Sequence, residues 1–371
     1  MRKEIKNTNH DFEHILALIA EARNRVYSKA NSELVLLYFN VGKVVSERVN
    51  AGNWGDNTVQ ELADFIQSKV PNLSGFNRRG LYRMKQFFEV YSDKQFLAAV
   101  MAQLQTNDNK GNKIVSPPVT QLQTDENEVI KFVSSMVTQL SWTHHLLILS
   151  KTKTAEEKIF YLIHSITEKL SKRELERQLN TATYERTMLA NKIVSAVGTQ
   201  IPENFFKDPY IFEFLNLPDG HSEKDFEKAI TLNLQKFILE IGKGFTYMGE
   251  QYRLQVGNKD YHTDLLFYHR DLQCLVLFEL KIQEFEPEFL GKLNFYLEAL
   301  DRDVKRSHEN PSVGILLCKG KDNEVVEYSM ARNTSPAMIT DYETKLIDKK
   351  LLADKVNQLT EILRKEETNK I

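Results

Sequence analysis

Two carboxylates and an amine stand at a spacing that supports chemistry: Asp264, then Glu279 and Lys281. Glu279 and Lys281 close the run QCLVLFELK, whose LVLF centre reads as a strand buried on both faces. Strand residues two apart face the same side, so these two charges project together from the end of an apolar strand. Burying either alone would be strongly unfavourable, so each needs a partner. Asp264 lies in the preceding strand-like run, DYHTDLLFYH, and residues 269–272 join the two runs as a hairpin. Pairing Tyr268 with Gln273 sets Asp264 opposite Leu277, on the face that carries Glu279 and Lys281. Two carboxylates crowded there repel unless a divalent cation lies between them. Oxygen donors without histidine or thiolate suit Mg2+ or Mn2+ better than zinc. The neighbouring lysine then holds or activates a water, or offsets charge on a pentacovalent phosphate. Spacing alone leaves a plainer reading open, a surface ion pair at a strand end.

Helices and further strands must hold this group. Prolines from Pro202 to Pro209 mark a boundary, after which the pattern changes. SEKD at 222–225 opens a helix with a capping-box-like start, Asp225 standing where glutamate is preferred. It runs through Phe226, Ile230, Leu234, Phe237 and Ile241 and stops at Gly242 and Gly244. FTYMGEQYRLQV supplies a strand before the two already named. A helix at about 286–300 follows, then the buried strand SVGILLC at 312–318, and a charged helix near 347–366 ends the pattern. The expected core of residues 206–371 is therefore α/β (α+β): helix, three strands, helix, strand.

The first 200 residues read as a mostly α-helical region. Apolar residues recur at helical spacing over 11–50 and again over 58–70, where Pro71 stops the helix. After the connector PNLSGFN, a helix starts near Arg78 and carries Arg78, Arg79, Arg83 and Lys85, with Tyr82 among them. This layout invites a helix-turn-helix reading with those four cations as nucleic-acid-binding residues, beside the alternative of a solvated face in a bundle. MAQLQT, VTQLQT and VTQLSW recur 18 residues apart around a polar stretch, so about 105–128 reads as a flexible, locally duplicated insertion. Helices follow near 129–149, 153–170 and 171–197. The adjacent His144 and His145 fit a structural role in an apolar helix.

Composition narrows the class. The chain has 371 residues, 42% of them hydrophobic and 27% charged, which is ordinary for a protein that buries its own core. A net charge of −2 argues against a coat for nucleic acid, while leaving room for local basic patches. Cys274 and Cys318, the two cysteines, lie in apolar runs and read as buried small hydrophobes. The polar N-terminus and the lack of an eighteen-residue apolar stretch point to a cytoplasmic protein that does not engage a membrane.

D-x14-E-x-K on two strands between helices is similar to the PD-(D/E)XK nuclease superfamily. DLLFYH, CLVLFELK, NFYLEALD and GILLCKGKDNEVVEY resemble, more closely, the bacterial PD-(D/E)XK nuclease domain-containing family (YhcG-like). WTHHLLILS and DPYIFEFLNLP resemble its helical N-terminal part and junction. The resemblance implies a restriction-endonuclease-like core and a Mg2+-dependent (or Mn2+-dependent) phosphodiesterase acting on nucleic acid, most readily DNA. It implies Asp264 and Glu279 as metal ligands and Lys281 as the catalytic lysine. A carboxylate from the first core helix often joins them; Glu227 matches best, then Glu223. A glutamine four residues before a tyrosine often follows, and this chain has Lys292 there with Tyr296 in place. Thr263, and no proline, precedes Asp264. Two alternatives remain open at this level: a catalytically inactive nucleic-acid-binding or adaptor protein on the same fold, and a nuclease directed at RNA or junctions. Homo-oligomers fit either.

Overall fold

The structure is a computed structural model and describes residues 2–108, 126–197 and 206–358, apart from Asp219 and Lys243. The chain forms two compact units, residues 1–179 and 180–371.

The first unit is helical: α1 (Arg2–Asn50), α2 (Asp56–Lys69), α3 (Arg78–Tyr91), α4 (Lys94–Asp108), α5 (Glu126–Ser135), α6 (Trp142–Lys151), α7 (Ala155–Thr167) and α8 (Lys172–Asn180). Its core joins Tyr38 and Val45 of α1, Val59 and Ala63 of α2, and Leu81 and Met84 of α3. Gly42 lets α1 and α3 approach closely, because a Cβ there would fall 2.0 Å from the Met84 carbonyl oxygen. Residues 70–77 connect α2 to α3, longer than the three or four residues of a tight helix-turn-helix. Phe76 is buried within that connector and Asn77 caps α3 by accepting from the Gly80 amide. The central part of the expected insertion, 109–125, lies outside the described residues; α4 and α5 reach into its two ends.

The second unit opens with α9 (Thr183–Val197). The 171–197 segment, expected as one helix, is thus two. Ala182 at φ 52 breaks it, and the Arg186 side chain holds the break by donating to the Thr181 carbonyl and the Thr181 and Thr183 hydroxyls. The same residue explains why the units divide at 179/180 and not at 200–206. Buried Arg186 ties α9 to Glu240 and to the Pro209 carbonyl.

Next come β1 (Tyr210–Ile211), α10 (Glu223–Leu232), α11 (Leu234–Ile241), β2 (Phe245–Val256), β3 (Lys259–His269), β4 (Cys274–Leu280), α12 (Pro287–Ala299), β5 (Val313–Cys318), α13 (Asn323–Met330) and β6 (Ala337–Glu343). Residues 349–358 are also helical. The helix expected over 222–241 divides at Asn233, whose side-chain amide bonds back to the Ala229 carbonyl. The capping box at Ser222 and Asp225 is present.

The sheet runs β1-β6-β5-β4-β3-β2. β2, β3 and β4 form an antiparallel meander, and β5, β6 and β1 add in parallel. Phe226, Ile230, Phe237 and Ile241 of α10 and α11 cover one face. Leu290, Leu293 and Leu297 of α12, with Val326 and Met330 of α13, cover the other. Gly314 on β5 admits α12, since a Cβ there would meet Leu293 at 2.9 Å. The β3–β4 register corrects the expectation: Tyr268 pairs with Leu275 and His269 with Cys274, a slip of two residues. Because side chains alternate with period two, an even slip keeps every face assignment. Counted one step past the last pair, Leu265 with Phe278, it moves Asp264 from a position opposite Leu277 to one opposite Glu279. Among the described residues no helix is long and apolar enough to cross a membrane.

Candidate active site

Asp264, Glu279 and Lys281 come together where β3 and β4 meet. The Asp264 carboxylate accepts from the Leu280 amide at 2.7 Å, which fixes it against β4. Burial, and next the charge of Glu279, push its pKa up to about 6. Glu279 is fully buried. Its Oε1 contacts the Lys292 ammonium and lies 3.5 Å from Lys281 Nζ. Its Oε2 has no hydrogen-bond partner among the described residues. A buried carboxylate oxygen without a donor is costly, and such an atom calls for an explanation.

Lys281 sits at the strand end with its amide bonded to the Leu317 carbonyl of β5 at 2.8 Å. Its ammonium donates to the Leu280 carbonyl at 2.9 Å and lies 3.4 Å from each carboxylate oxygen of Glu223, at the start of α10. The Phe289 ring covers it at 5.7 Å. Lys292 projects from α12 over the Tyr296 ring at 5.2 Å. Burial depresses its pKa, but the hydrogen bond and charge of Glu279 outweigh that and hold it above the ordinary lysine value. Tyr296 is raised by burial. Glu227 stands on α10 and accepts from the Gln251 amide at 2.8 Å. Burial raises its pKa, and the Asp264 charge adds to that.

No three histidine, cysteine, aspartate or glutamate side chains form a ready metal cage among the described residues. Asp264 and Glu279, with the Glu279 oxygen that lacks a donor among the described residues, are the oxygen groups here that could hold a divalent cation. Cys274 and Cys318 are buried thiols pushed up to about 12 by burial, so neither offers a thiolate.

Other residues singled out in the sequence lie in the first unit. Arg78 pairs with Asp56 at 2.8 Å, and Tyr82 donates to the same carboxylate. Lys85 pairs with Glu89 at 2.7 Å. Arg79 is exposed and Arg83 half-buried on α3. Two of the four cations thus serve local pairs. His145 is buried between the Tyr91 hydroxyl at 3.0 Å and the Val137 carbonyl at 2.9 Å, and burial lowers its pKa to about 4. His144 bridges Ser141 and the Leu170 carbonyl. Both are framework histidines.

Sequence reasoning missed Gln251. Its left-handed backbone, φ 47, leaves no mark in the sequence. It also assigned no role to Glu223 as the partner of Lys281.

Comparison with known proteins finds likenesses along most of the chain. Residues 203–357 match the family model described as YhcG PDDEXK nuclease domain. Residues 14–111 and 124–186 match the DUF1016 N-terminal domain. Over 361 residues the chain is 27% identical to "Putative nuclease YhcG" of Escherichia coli (strain K12), covering 94% of this chain and 93% of that protein. Among solved structures, the crystal structure of a repair endonuclease from Pyrococcus abyssi matches 35% of this chain and 50% of its own, at 14% identity. Its TM-score of 0.25 is too low to bear on the fold.

Proposed function

Because this chain belongs to the YhcG-like PDDEXK nuclease family, we propose that it is a metal-dependent endonuclease that hydrolyses phosphodiester bonds in DNA. One observation carries the reading. A fully buried glutamate, with one oxygen lacking a donor among the described residues, lies beside a second carboxylate whose pKa is raised by burial and then by the glutamate's charge. Asp264 and Glu279 would hold Mg2+, with Mn2+ able to substitute. Bound there, such an ion would supply Lewis-acid polarisation and would make a coordinated water more acidic.

The chain's own groups do the rest. Lys281, steadied by Glu223 and the Leu280 carbonyl, orients the attacking water and offsets charge on the pentacovalent phosphate. Lys292 is a second cation in the same pocket. When a phosphate enters, its ammonium has a choice between the Glu279 carboxylate and the substrate, and either placement limits net charge. Arg79 and Arg83 of α3 are cations suited to phosphate contact in the first unit.

The test is a panel of duplex DNA, single-stranded DNA, junctions and RNA, each with Mg2+, Mn2+ or EDTA. Duplex DNA should be cut with either ion and not with EDTA. Asp264→Ala should abolish cutting and Lys281→Ala should slow it at least about 100-fold while the protein stays folded. Cleavage that survives both changes assigns the chemistry elsewhere. Salt-sensitive binding without turnover on any substrate favours the adaptor reading.

A further inference from the structure

We infer that Gln251 is a positioning residue, held in a strained left-handed conformation so that its amide fixes Glu227 as a third carboxylate level with Asp264. This inference rests on the metal-site reading above and adds to it a residue that no motif contains.

The ladder between β2 and β3 runs on either side of this point, with Glu250 opposite Leu265 and Tyr252 opposite Thr263. By count Gln251 and Asp264 stand opposite each other, yet they are the one step in that stretch without a ladder pair. Gln251 has φ 47, a region a non-glycine residue enters at a cost. The effect on direction is plain. Alternation along a strand sends neighbouring side chains to opposite faces. Here Glu250 and Gln251, adjacent in sequence, both reach α10: Glu250 accepts from Thr231, and Gln251 donates to Glu227 at 2.8 Å. An extended backbone at 251 would point its amide toward the α12 side.

The core records the same reversal. Leu265 packs under α10 and α11, while Tyr261, four residues earlier and of the same parity, packs on the α12 side with Leu254. The hairpin therefore changes face at the level of Asp264. The bond from Gln251 uses Glu227 Oε1 and leaves Oε2 for another partner. Strained backbone persists where surrounding structure holds it, and such sites cluster at functional centres.

The test is calorimetric titration of the full chain with Mn2+ alone, without nucleic acid. Gln251→Gly keeps the left-handed backbone at no steric cost and removes the amide. Its Mn2+ affinity should fall about 10-fold, the lower end for loss of a group that orients a metal ligand. Glu227→Gln should lose at least as much. The double variant should bind no more weakly than Glu227→Gln, because Gln251 acts through Glu227. The melting temperature of Gln251→Gly should hold or rise, which separates positioning from a folding defect. Wild-type affinity in Gln251→Gly, or losses that multiply in the double variant, would overturn the inference. Asp264→Ala is the control for the underlying site: wild-type Mn2+ affinity there would sink the metal reading itself, whatever Gln251 does.

Discussion

Glu240 and Glu279 are both closed off from solvent, at 1% and 0% exposure, and they do different work. Glu240 on α11 meets the guanidinium of Arg186, itself fully buried, and also accepts from the Ile211 amide at 3.0 Å. Arg186 spends its remaining donors on Thr181, Thr183 and the Pro209 carbonyl. A planar guanidinium with fixed donors, every one directed at an oxygen, makes a joint between α9, β1 and α11. Glu279 meets two flexible ammoniums on one oxygen and, among the described residues, has no donor on the other. Lysine is a movable point charge, so this second arrangement can rearrange when a ligand arrives. A buried acid locked onto a guanidinium whose donors are all engaged is architecture. On the function proposed above, one with spare capacity beside another acid is a site.

The largest expected effect breaks the joint. Glu240→Ala strands the Arg186 charge in the core and should cost about 3–5 kcal/mol in urea unfolding. Cleavage per folded molecule should be unchanged. A loss below about 1 kcal/mol would erase the contrast with Glu279. Next, Lys281→Met should lower the cleavage rate about 100- to 1,000-fold, the range for removing one charge-stabilising donor. Its unfolding midpoint should move little, since Glu223 is exposed enough to return to water.

A smaller effect concerns pH. Asp264 has its folded pKa raised from 3.8 to about 6, so the protonated acid favours the folded state. Without metal, that contribution is complete below pH 4 and is lost as pH rises through 6. Asp264→Asn should flatten this decline between pH 4 and 6. Asp341, raised to about 7 mainly by burial, leaves a residual slope that extends higher. Metal binding needs the ionised acid, so the Mn2+ affinity of the full chain should weaken as pH drops below 6, as read by calorimetric titration. The smallest effect lies in the other unit. Arg79→Ala with Arg83→Ala should reduce the salt dependence of DNA binding by roughly one to two counterions and leave the metal-dependent step intact.

Much of the site was legible in the chain. An unbroken apolar run ending in a carboxylate and a lysine two apart has few readings, and the period of two placed Asp264 on the same face despite a misjudged turn. Helices of the first unit followed from their spacing, except that the segment expected as one helix near 129–149 is α5 and α6, parted at residues 136–141. What stayed hidden depends on contacts distant in sequence or on backbone sign. β1 is only two residues and exists by pairing with β6. The Arg186–Glu240 joint spans 54 positions, so nothing local marks where the second unit begins. In the sequence Lys292 is a departure from a glutamine pattern, and it takes the packing of α12 on the sheet to set it against Glu279. The kink at Gln251 has no sequence signal, because glutamine carries no preference for positive φ.

The neutral isostere Glu279→Gln, measured for urea midpoint and DNA cleavage on one preparation, probes the distinction most directly. The account predicts a midpoint equal to or above that of the unaltered protein, as a poorly satisfied buried charge disappears, together with loss of cleavage. A protein destabilised as severely as Glu240→Ala, yet still cutting at the normal rate per folded molecule, would contradict it.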